Sequence, residues 1–513
     1  MFNFIKLLLL LLLISDALAN QESVEYINRD VIEGEKFYLF GDNVFSDKSI
    51  LSWTQTCGEP ASLSFDDSSM RFFFLAPKSA TDLSYCFSVV IRKGTGEVIL
   101  SQFNFRVVAP TLEVYIDPAS IPALNHLLYI IDTYEENASR ARFVAWSRID
   151  VSHNSSIKKL LNIETFPLKN KNDISDEMVA AIKDKSLKTE RLNIELFTNA
   201  KWSMNHISTI ARMLSNIKSG ARISKIRIYD DGSSEYIDLY NWIESGGTAS
   251  DLVSGKEALV TYLHGDSDVI PDFMRSKYNW HEIYNVDYYF IRPEYLRLES
   301  RLNGLYEHLH ANLKRINYNI FSSLSEKKQQ LFLDVVGFDR VKLVHDYGLS
   351  EDDNLIFTGT TTWNVGHERQ FYADQQINVL RNVKYSTGAL YPGKKYDFFF
   401  KGHPAGKDIN KRIESAFDGM ISIPSNISFE VLMMTGMLPD KIGGIASSLY
   451  LSLPRDKISF IVFSSTDDIS NLHDAINSPL VQIMIKLNII SEHSVVFWSD
   501  LPDCSTGTCV KRN

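Results

Sequence analysis

The sequence predicts an α/β chain with two Rossmann-like domains facing a cleft, preceded by an immunoglobulin-like β-sandwich. Three observations carry that expectation. Residues 20–109 consist of short alternating stretches separated by turn signals, the pattern of a small all-β sandwich. From Leu112 onward strands alternate with helices, the rhythm of a doubly wound sheet. A second alternation of the same kind starts near Tyr288. The 513 residues, 44% apolar and 12% aromatic, suffice for two to four domains with cores of their own.

The elements follow in order. MFNFIKLLLLLLLISDALAN places Lys6 before an apolar run, Leu7 to Ile14, and small residues at Ala17-Leu18-Ala19. This has the form of a secretory signal peptide, residues 1–19, too short to span a bilayer. The chain is therefore expected to be exported to the periplasm, the cell surface or the medium. It would touch a membrane only through this segment, if the segment stays uncleaved. SLSFDD, MRFFFLAP, YCFSVVIRK and EVILSQFNFRVV read as sandwich strands, with KGTGE as a turn. No Trp closely follows the first cysteine and no Tyr stands two before the second, so the signature of a true immunoglobulin domain is missing. The four cysteines fall in two pairs at opposite ends of the chain, Cys57 with Cys86 and Cys504 with Cys509. In an exported chain disulfides are their natural state. With no His or further Cys beside them at ligand spacing, zinc is not expected there.

LEVYI (112–116) reads as a strand, DPAS (117–120) turns into the amphipathic helix PALNHLLYIIDTYEE, and RFVAWSRI (142–149) is again strand-like. EMVAAIKDK and HISTIARMLSNIK read as helices before the strand SKIRIY. These make a first Rossmann-like domain at 110–280. A second, at 281–488, holds NLIFTGTT, KYDFFFKGHP, ISFEVLMM, DKIGGIASSLY and KISFIVFSS. Residues 489–513 are expected to return to the first domain. Sheets of this kind bind ligands at the carboxyl ends of their strands. Lys and Arg total 53 against 63 Asp and Glu, a net charge of -10 without a basic block. That excludes nucleic acid as a partner held through its backbone.

Four stretches could carry chemistry. In KIRIYDDGSSEYIDLY (225–240) a strand breaks into Asp230 and Asp231, then Gly232, two serines and Glu235. The pair could be a metal site, a catalytic base or a turn, and Glu235 is the only further oxygen ligand near it in sequence. In FFFKGHP a buried strand delivers Lys401, Gly402, His403 and Pro404 to its carboxyl end. Lys401 and His403 there could stabilise charge developing on a leaving phosphate, or be a surface lysine and a structural histidine. GGIASSLY (443–450) offers glycines for close backbone approach and then the hydroxyls and amides of Ser447 and Ser448, groups suited to phosphate. No GxxxxGKS or GxxxxGKT is present, so a P-loop hydrolase is not supported. SNISFEVLMM (425–434) starts a helix with Ser425 or Ser428 as N-cap and Glu430 in the first turn. Glu430 either suits the helix dipole or accepts hydrogen bonds from paired ribose hydroxyls.

Together YDDGSSEY, FKGHP, SFEVLMMTGMLPD and GGIASSLY resemble the marine and Pasteurella-type bacterial sialyltransferases, glycosyltransferase family 80. The resemblance runs from LEVYIDPASIPALN through FWSD, and includes FTGTTTW and the WTQTCG of the sandwich. It implies a GT-B fold, CMP-sialic acid as donor, inversion at the anomeric carbon, and no metal or other cofactor. The implied acceptor is a galactose-terminated glycan such as lactose or N-acetyllactosamine, linked at O3 or O6, and the implied state is a monomer. Asp231 becomes the general base. His403 assists the leaving phosphate with Lys401 alongside. Ser447 and Ser448 take the phosphate, Glu430 takes the ribose, and Pro404, Ser428, Gly359 and Thr360 border the nucleotide. Ser120, Arg148, Trp202, Ser233, Ser234, Thr361 and Trp363 fall on the sialyl or acceptor side, with the face of Trp363 toward the acceptor sugar.

The sequence also departs from the family pattern. NAKWS (199–203) places Trp202 where members often carry a histidine, and KNKND (169–173) leaves Asn172 or Lys171 to match an asparagine. Ala405 follows His-Pro where some members have Arg. These departures bear on linkage and efficiency. Two other readings stay open: a different GT-B nucleotide-sugar transferase, for which UDP rather than CMP would protect the protein from heat, and a non-catalytic glycan-binding surface protein.

Overall fold

The computed structural model describes residues 25–39, 48–69, 71–79, 81–93, 98–134, 140–151, 154–339, 341, 353–361, 367–424, 427–464, 469–505 and 507–510. The expected signal segment, the N-cap candidate Ser425 and Trp363 lie outside the described residues. Residues up to Leu112, with Ile182–Ile194 and Ile217–Arg222, form one compact unit, and the remaining residues form a second.

In the first unit, the strands Glu25–Ile32, Val98–Val108, Leu83–Lys93 and Lys48–Cys57 make one sheet in that spatial order. Lys36–Tyr38, Arg71–Leu75 and Leu63–Asp66 make a second. Alternation decides which face is buried: Ile99, Ser101, Phe103, Phe105 and Val107 point inward from one strand. Phe74 of the smaller sheet stacks on Phe105 of the larger at 4.9 Å, closing an aromatic core between the two. The Cys57–Cys86 disulfide joins neighbouring strands of one sheet, not the two sheets. Arg191, from the later segment of this unit, reaches Glu33 at 2.9 Å and Asp82 at 3.0 Å.

The second unit is built on two further sheets. One runs Ile163–Thr165, Ala141–Trp146, Thr111–Asp117, Leu192–Asn199, Ala221–Tyr229, Val286–Phe290, Leu313–Arg315. The other runs Ile421–Ser422, Asp397–Lys401, Asn354–Thr358, Lys441–Ile445, Ile458–Phe463, Val496–Phe497, and is parallel throughout. The strand Leu192–Asn199, which the sequence pattern does not single out, occupies the middle of the first of these sheets. Among the described residues no helix is long and apolar enough to cross a membrane.

Three expectations are corrected. The boundary near 281 is too early: Val286–Phe290 pairs in parallel with Ala221–Tyr229, and Leu313–Arg315 extends the same sheet. The renewed alternation near Tyr288 is the end of the first sheet, and the second begins at Asn354. Residues 489–513 do not return to the first half, because Val496–Phe497 pairs with Ile458–Phe463 and Leu501 packs in the core of Phe357 and Phe400. The helix that reaches back is the preceding one, Pro479–Lys486, whose Lys486 meets Glu299 at 3.3 Å. Finally, the helix Ser120–Thr133 is not amphipathic but buried almost all round, from Ile121 to Leu128 and at Ile130 and Ile131. Of its polar members, Asn125 donates to the Ile121 carbonyl at 2.8 Å, whereas both ring nitrogens of His126 are buried without a hydrogen-bond partner and burial pushes the ring down to about 3, so it is neutral.

Candidate active site

The two aspartates that end the strand Ala221–Tyr229 have different surroundings. Asp230 is fully buried, and its carboxylate accepts from the Gly232 amide at 2.7 Å, the Tyr236 hydroxyl at 2.5 Å and the Ile291 amide at 2.8 Å. Burial pushes its carboxyl up to about 8 against the pull of those donors. Asp230 thus closes the turn and ties it to the neighbouring strand end. Asp231 is only partly buried and accepts from the Ser234 hydroxyl. Burial raises its carboxyl above the ordinary aspartate value; Ser234, Lys201 and Lys277 pull the other way, and Glu235 adds to the rise. Ser234, expected on the acceptor side, is therefore engaged with the Asp231 carboxylate, while Ser233 begins the helix Ser233–Glu244.

Gly232 links this turn to the other sheet. It adopts a φ of 118, and a Cβ on it would stand 3.5 Å from the Ser448 Cβ. The Asp231 turn therefore rests against the serine turn that leaves the strand Lys441–Ile445. Arg292 reinforces the contact by donating to the carbonyls of Leu451 and Leu453 at 2.6 and 2.9 Å. Glu235 is committed elsewhere: Lys277 holds it at 3.0 Å and the Tyr278 hydroxyl donates to it, all deep inside.

Two site residues escape the sequence reading. Asp117, at the end of the strand Thr111–Asp117, is buried and accepts from the Ala119 amide at 2.7 Å and from Asn199 at 3.3 Å. Its Oδ2 has no partner, and burial raises its carboxyl well above the ordinary value, with Asp231 adding to the effect. Asp117 opens DPAS and Asn199 opens NAKWS, and both residues end strands of the sheet that carries Asp231, which are the signals that could have found them.

On the second sheet, Lys401 ends the strand Asp397–Lys401 and is 6% exposed. Burial lowers its ammonium to about 8, with Glu430 pulling it back up. His403 accepts the Ala405 amide on Nδ1 at 3.2 Å, so the neutral ring carries its proton on Nε2. Burial lowers its basicity, and Arg148 and Lys401 add to that effect, which places Arg148 of the first half within electrostatic reach of His403. The Ala405 departure costs the ring nothing, since a backbone amide orients it. Gly402 is required by packing: a Cβ there would stand 2.3 Å from Asn410, which donates to the His403 carbonyl at 2.9 Å.

Ser447 and Ser448 follow the strand end, half-buried and exposed respectively. The sequence reading expects the preceding glycines to let the backbone approach a ligand closely, and the packing gives them a different task. A Cβ at Gly443 would meet the Phe460 ring at 2.4 Å and one at Gly444 the Thr358 carbonyl at 2.2 Å, so both serve strand packing. Ser428 stands at the N-cap position of the helix Phe429–Met434 but does not cap it. Its hydroxyl donates to Glu430, fixing that carboxylate instead. Thr360 is held by Gln376 at both its amide and its carbonyl, at 2.9 and 3.2 Å. With Thr361, Ile237, Tyr372, Ala446 and Phe463 it lines a cavity of about 610 Å³. Gly359 abuts the Phe400 ring, and Pro404 turns the chain after His403.

The remaining positions lie on the first half. Ser120 opens the helix Ser120–Thr133, and Ser147 donates to the Pro118 carbonyl at 2.6 Å, setting the exposed Arg148 beside that strand end. Trp202 is half-buried and donates its amide to Asn199 at 3.2 Å. One turn further on, His206 is buried between Thr198 at 2.6 Å and the Asn172 carbonyl at 3.0 Å, and so supports the loop carrying Lys171 and Asn172.

The two sheets bring the carboxylate turn of Asp231 against the turn of Ser447 and Ser448 at their strand ends, where sheets of this kind bind ligands, and the fold is that of the GT-B glycosyltransferases. The family model described as sialyltransferase PMO188 matches residues 112–492. The chain belongs to this sialyltransferase family. No curated protein matches it. Among solved structures, the sialyltransferase of Photobacterium damsela is 45% identical, covering 93% of this chain and 100% of its own, with a TM-score of 0.82. The 2,6-sialyltransferase of Photobacterium sp. JT-ISH-224, solved with CMP and lactose, is 40% identical over 96% of this chain and 100% of its own, with a TM-score of 0.82. An α/β-galactoside α-2,3-sialyltransferase of Photobacterium phosphoreum is 27% identical, covering 77% of this chain and 100% of its own, at a TM-score of 0.65.

Proposed function

We propose that the protein transfers sialic acid from CMP-sialic acid to the 6-hydroxyl of a terminal β-galactose, with inversion and without a metal in the chemical step. The contact of the Asp231 turn with Ser448, 3.5 Å from a Cβ placed on Gly232, carries this reading. It brings a half-buried carboxylate to the side of a turn suited to phosphate. The acceptor hydroxyl donates to Asp231 and attacks the anomeric carbon as the bond to the CMP phosphate breaks. A hydroxyl becomes acidic enough to lose its proton only as its oxygen bonds to the anomeric carbon, which is general-base catalysis. The departing phosphate gains charge that Lys401, the Nε2 proton of His403 and the Ser447 and Ser448 donors neutralise. Glu430, fixed by Ser428, is placed to accept from ribose hydroxyls. Ser120, Arg148 and Trp202 are assigned to the sialyl and acceptor sugars.

The linkage rests on relatives: 40% identity to an enzyme described as a 2,6-sialyltransferase, against 27% to one described as α-2,3. Export is part of the proposal, and the two disulfides support it. The test is incubation with CMP-sialic acid and lactose, with and without EDTA, and analysis of the product by NMR. A 6'-linked sialyllactose, formed equally with chelator, is expected. A 3'-linked product overturns the linkage, and absence of product overturns the activity. Asp231→Asn should lower kcat by about a hundred- to ten-thousandfold while the KM for donor stays within about threefold.

A further inference from the structure

We propose that His281, Glu282 and His308 form a binding site for a divalent cation of the zinc type, remote from the transfer chemistry. His281 and Glu282 lie in the turn Trp280–Glu282, just before the strand Val286–Phe290. His308 lies in the helix Asn303–Leu309, just before the strand Leu313–Arg315. Both elements thus approach the amino ends of two neighbouring strands, whereas Asp230 and Asp231 follow the carboxyl end of the strand beside them.

One ligand atom from each of the three side chains lies within 4.8 Å of the other two. The imidazoles meet edge to face at 4.4 Å, and His281 Nε2 stands 3.8 Å from Glu282 Oε1. The His281 side chain is 10% exposed. Its Nδ1, like His308 Nε2, is buried without a hydrogen-bond partner. Orphaned polar atoms of this kind cost stability unless something satisfies them.

Two imidazole nitrogens and a carboxylate oxygen are donors that a zinc-type cation takes. Burial lowers the basicity of both rings and His308 adds to the effect on His281, while the Glu282 carboxylate and then the Tyr278 backbone pull the other way. Glu282 is kept ionised by Lys256, whose ammonium sits 2.9 Å from Oε2 and leaves Oε1 on the side of His281. Lys256 is half-exposed, so it can swing into solvent when a cation arrives. Two imidazoles and a carboxylate select zinc over magnesium or calcium, with a fourth position for water. Binding would require the donors to draw in to the bond lengths of about 2.0–2.2 Å that zinc takes. The ion would then join the turn Trp280–Glu282 to the helix Asn303–Leu309.

The test uses the full chain without an affinity tag, stripped by chelator and dialysed, then titrated with zinc chloride by calorimetry. One saturable site is expected, with a rise in Tm of about 3 °C at saturation. Cobalt should give the intense visible absorption of a four-coordinate ion. Glu282→Gln, an exposed position that leaves the fold intact, and His308→Ala, checked by circular dichroism, should each weaken binding at least about tenfold. Absence of saturable binding, or binding unchanged in both variants, overturns the proposal. Neither result bears on sialyl transfer, which is read from product formation.

Discussion

Asp230 and Asp231 are adjacent, chemically identical and differently placed. The strand turns one inward, where the Gly232 amide, the Tyr236 hydroxyl and the Ile291 amide hold it, and leaves the other half-buried on the Ser234 hydroxyl, one residue before the glycine that rests against Ser448. The motif and its place at a strand end were legible in the sequence, and the proposal of Asp231 as base rests on the family resemblance. The partners of each carboxylate were not legible, because they arrive from residues such as Ile291 and Lys277. Lys401 shows the same limit. Its place at a strand end was legible, but its burial to 6% exposure was not. Burial holds its ammonium at about 8, below the ordinary lysine value, so the proton leaves as pH rises through about 8 and the attraction for phosphate goes with it. The KM for CMP-sialic acid should therefore climb above pH 8 in the wild type, and Lys401→Met should show a raised KM with a flatter profile there. A steep rise retained by the variant would assign the titration to another group.

Among elements, apolar runs such as LEVYI and DFFFK were legible because strands buried on both faces need them. LNIELFTN was passed over since its polar residues disguise it. In the sheet they pair sideways, Glu195 with Arg227 at 2.7 Å and with Arg140 at 3.3 Å. Gly443 illustrates how packing assigns a residue that sequence assigns to a ligand. Gly443→Ala should destabilise by about 1–3 kcal/mol through the Phe460 ring, and a second change, Phe460→Leu, should restore part of the lost Tm. If Gly443→Ala unfolds at the wild-type temperature but loses donor affinity, the ligand reading returns. The helix Ser233–Glu244 depends on Lys277 in a similar way. Lys277→Met leaves Glu235 buried without its counter-charge, which should cost about 3–5 kcal/mol. It also removes a group that lowers the Asp231 carboxyl. As the proposed base, Asp231 works only when ionised, so activity should be lost as pH falls through its pKa. The acidic limb of kcat/KM should lie above the ordinary aspartate value in the wild type and move higher in the variant. A limb that stays in place would show that Asp231 does not set it.

For the whole molecule, the sandwich can be weakened by itself. Cys57 and Cys86 are 29 residues apart, so Cys57→Ser with Cys86→Ser should remove about 3–4 kcal/mol by freeing the unfolded chain. Thermal unfolding of the sandwich should shift while kcat on lactose stays within about twofold of the wild type, since its core contains none of the proposed site residues. A parallel loss of kcat would make the sandwich part of the active enzyme. By itself the sequence determined the three-part architecture, the disulfide partners and the motifs that end the critical strands, because periodicity, turn residues and local spacing are properties of neighbouring residues. Only the tertiary structure decided where the first sheet ends, which helix returns to it, that Asp117 and Asn199 end strands of the Asp231 sheet, and that Gly443 serves a phenylalanine. Those outcomes depend on which distant strands become neighbours, and on burial that follows from the pairing rather than from any residue's own chemistry.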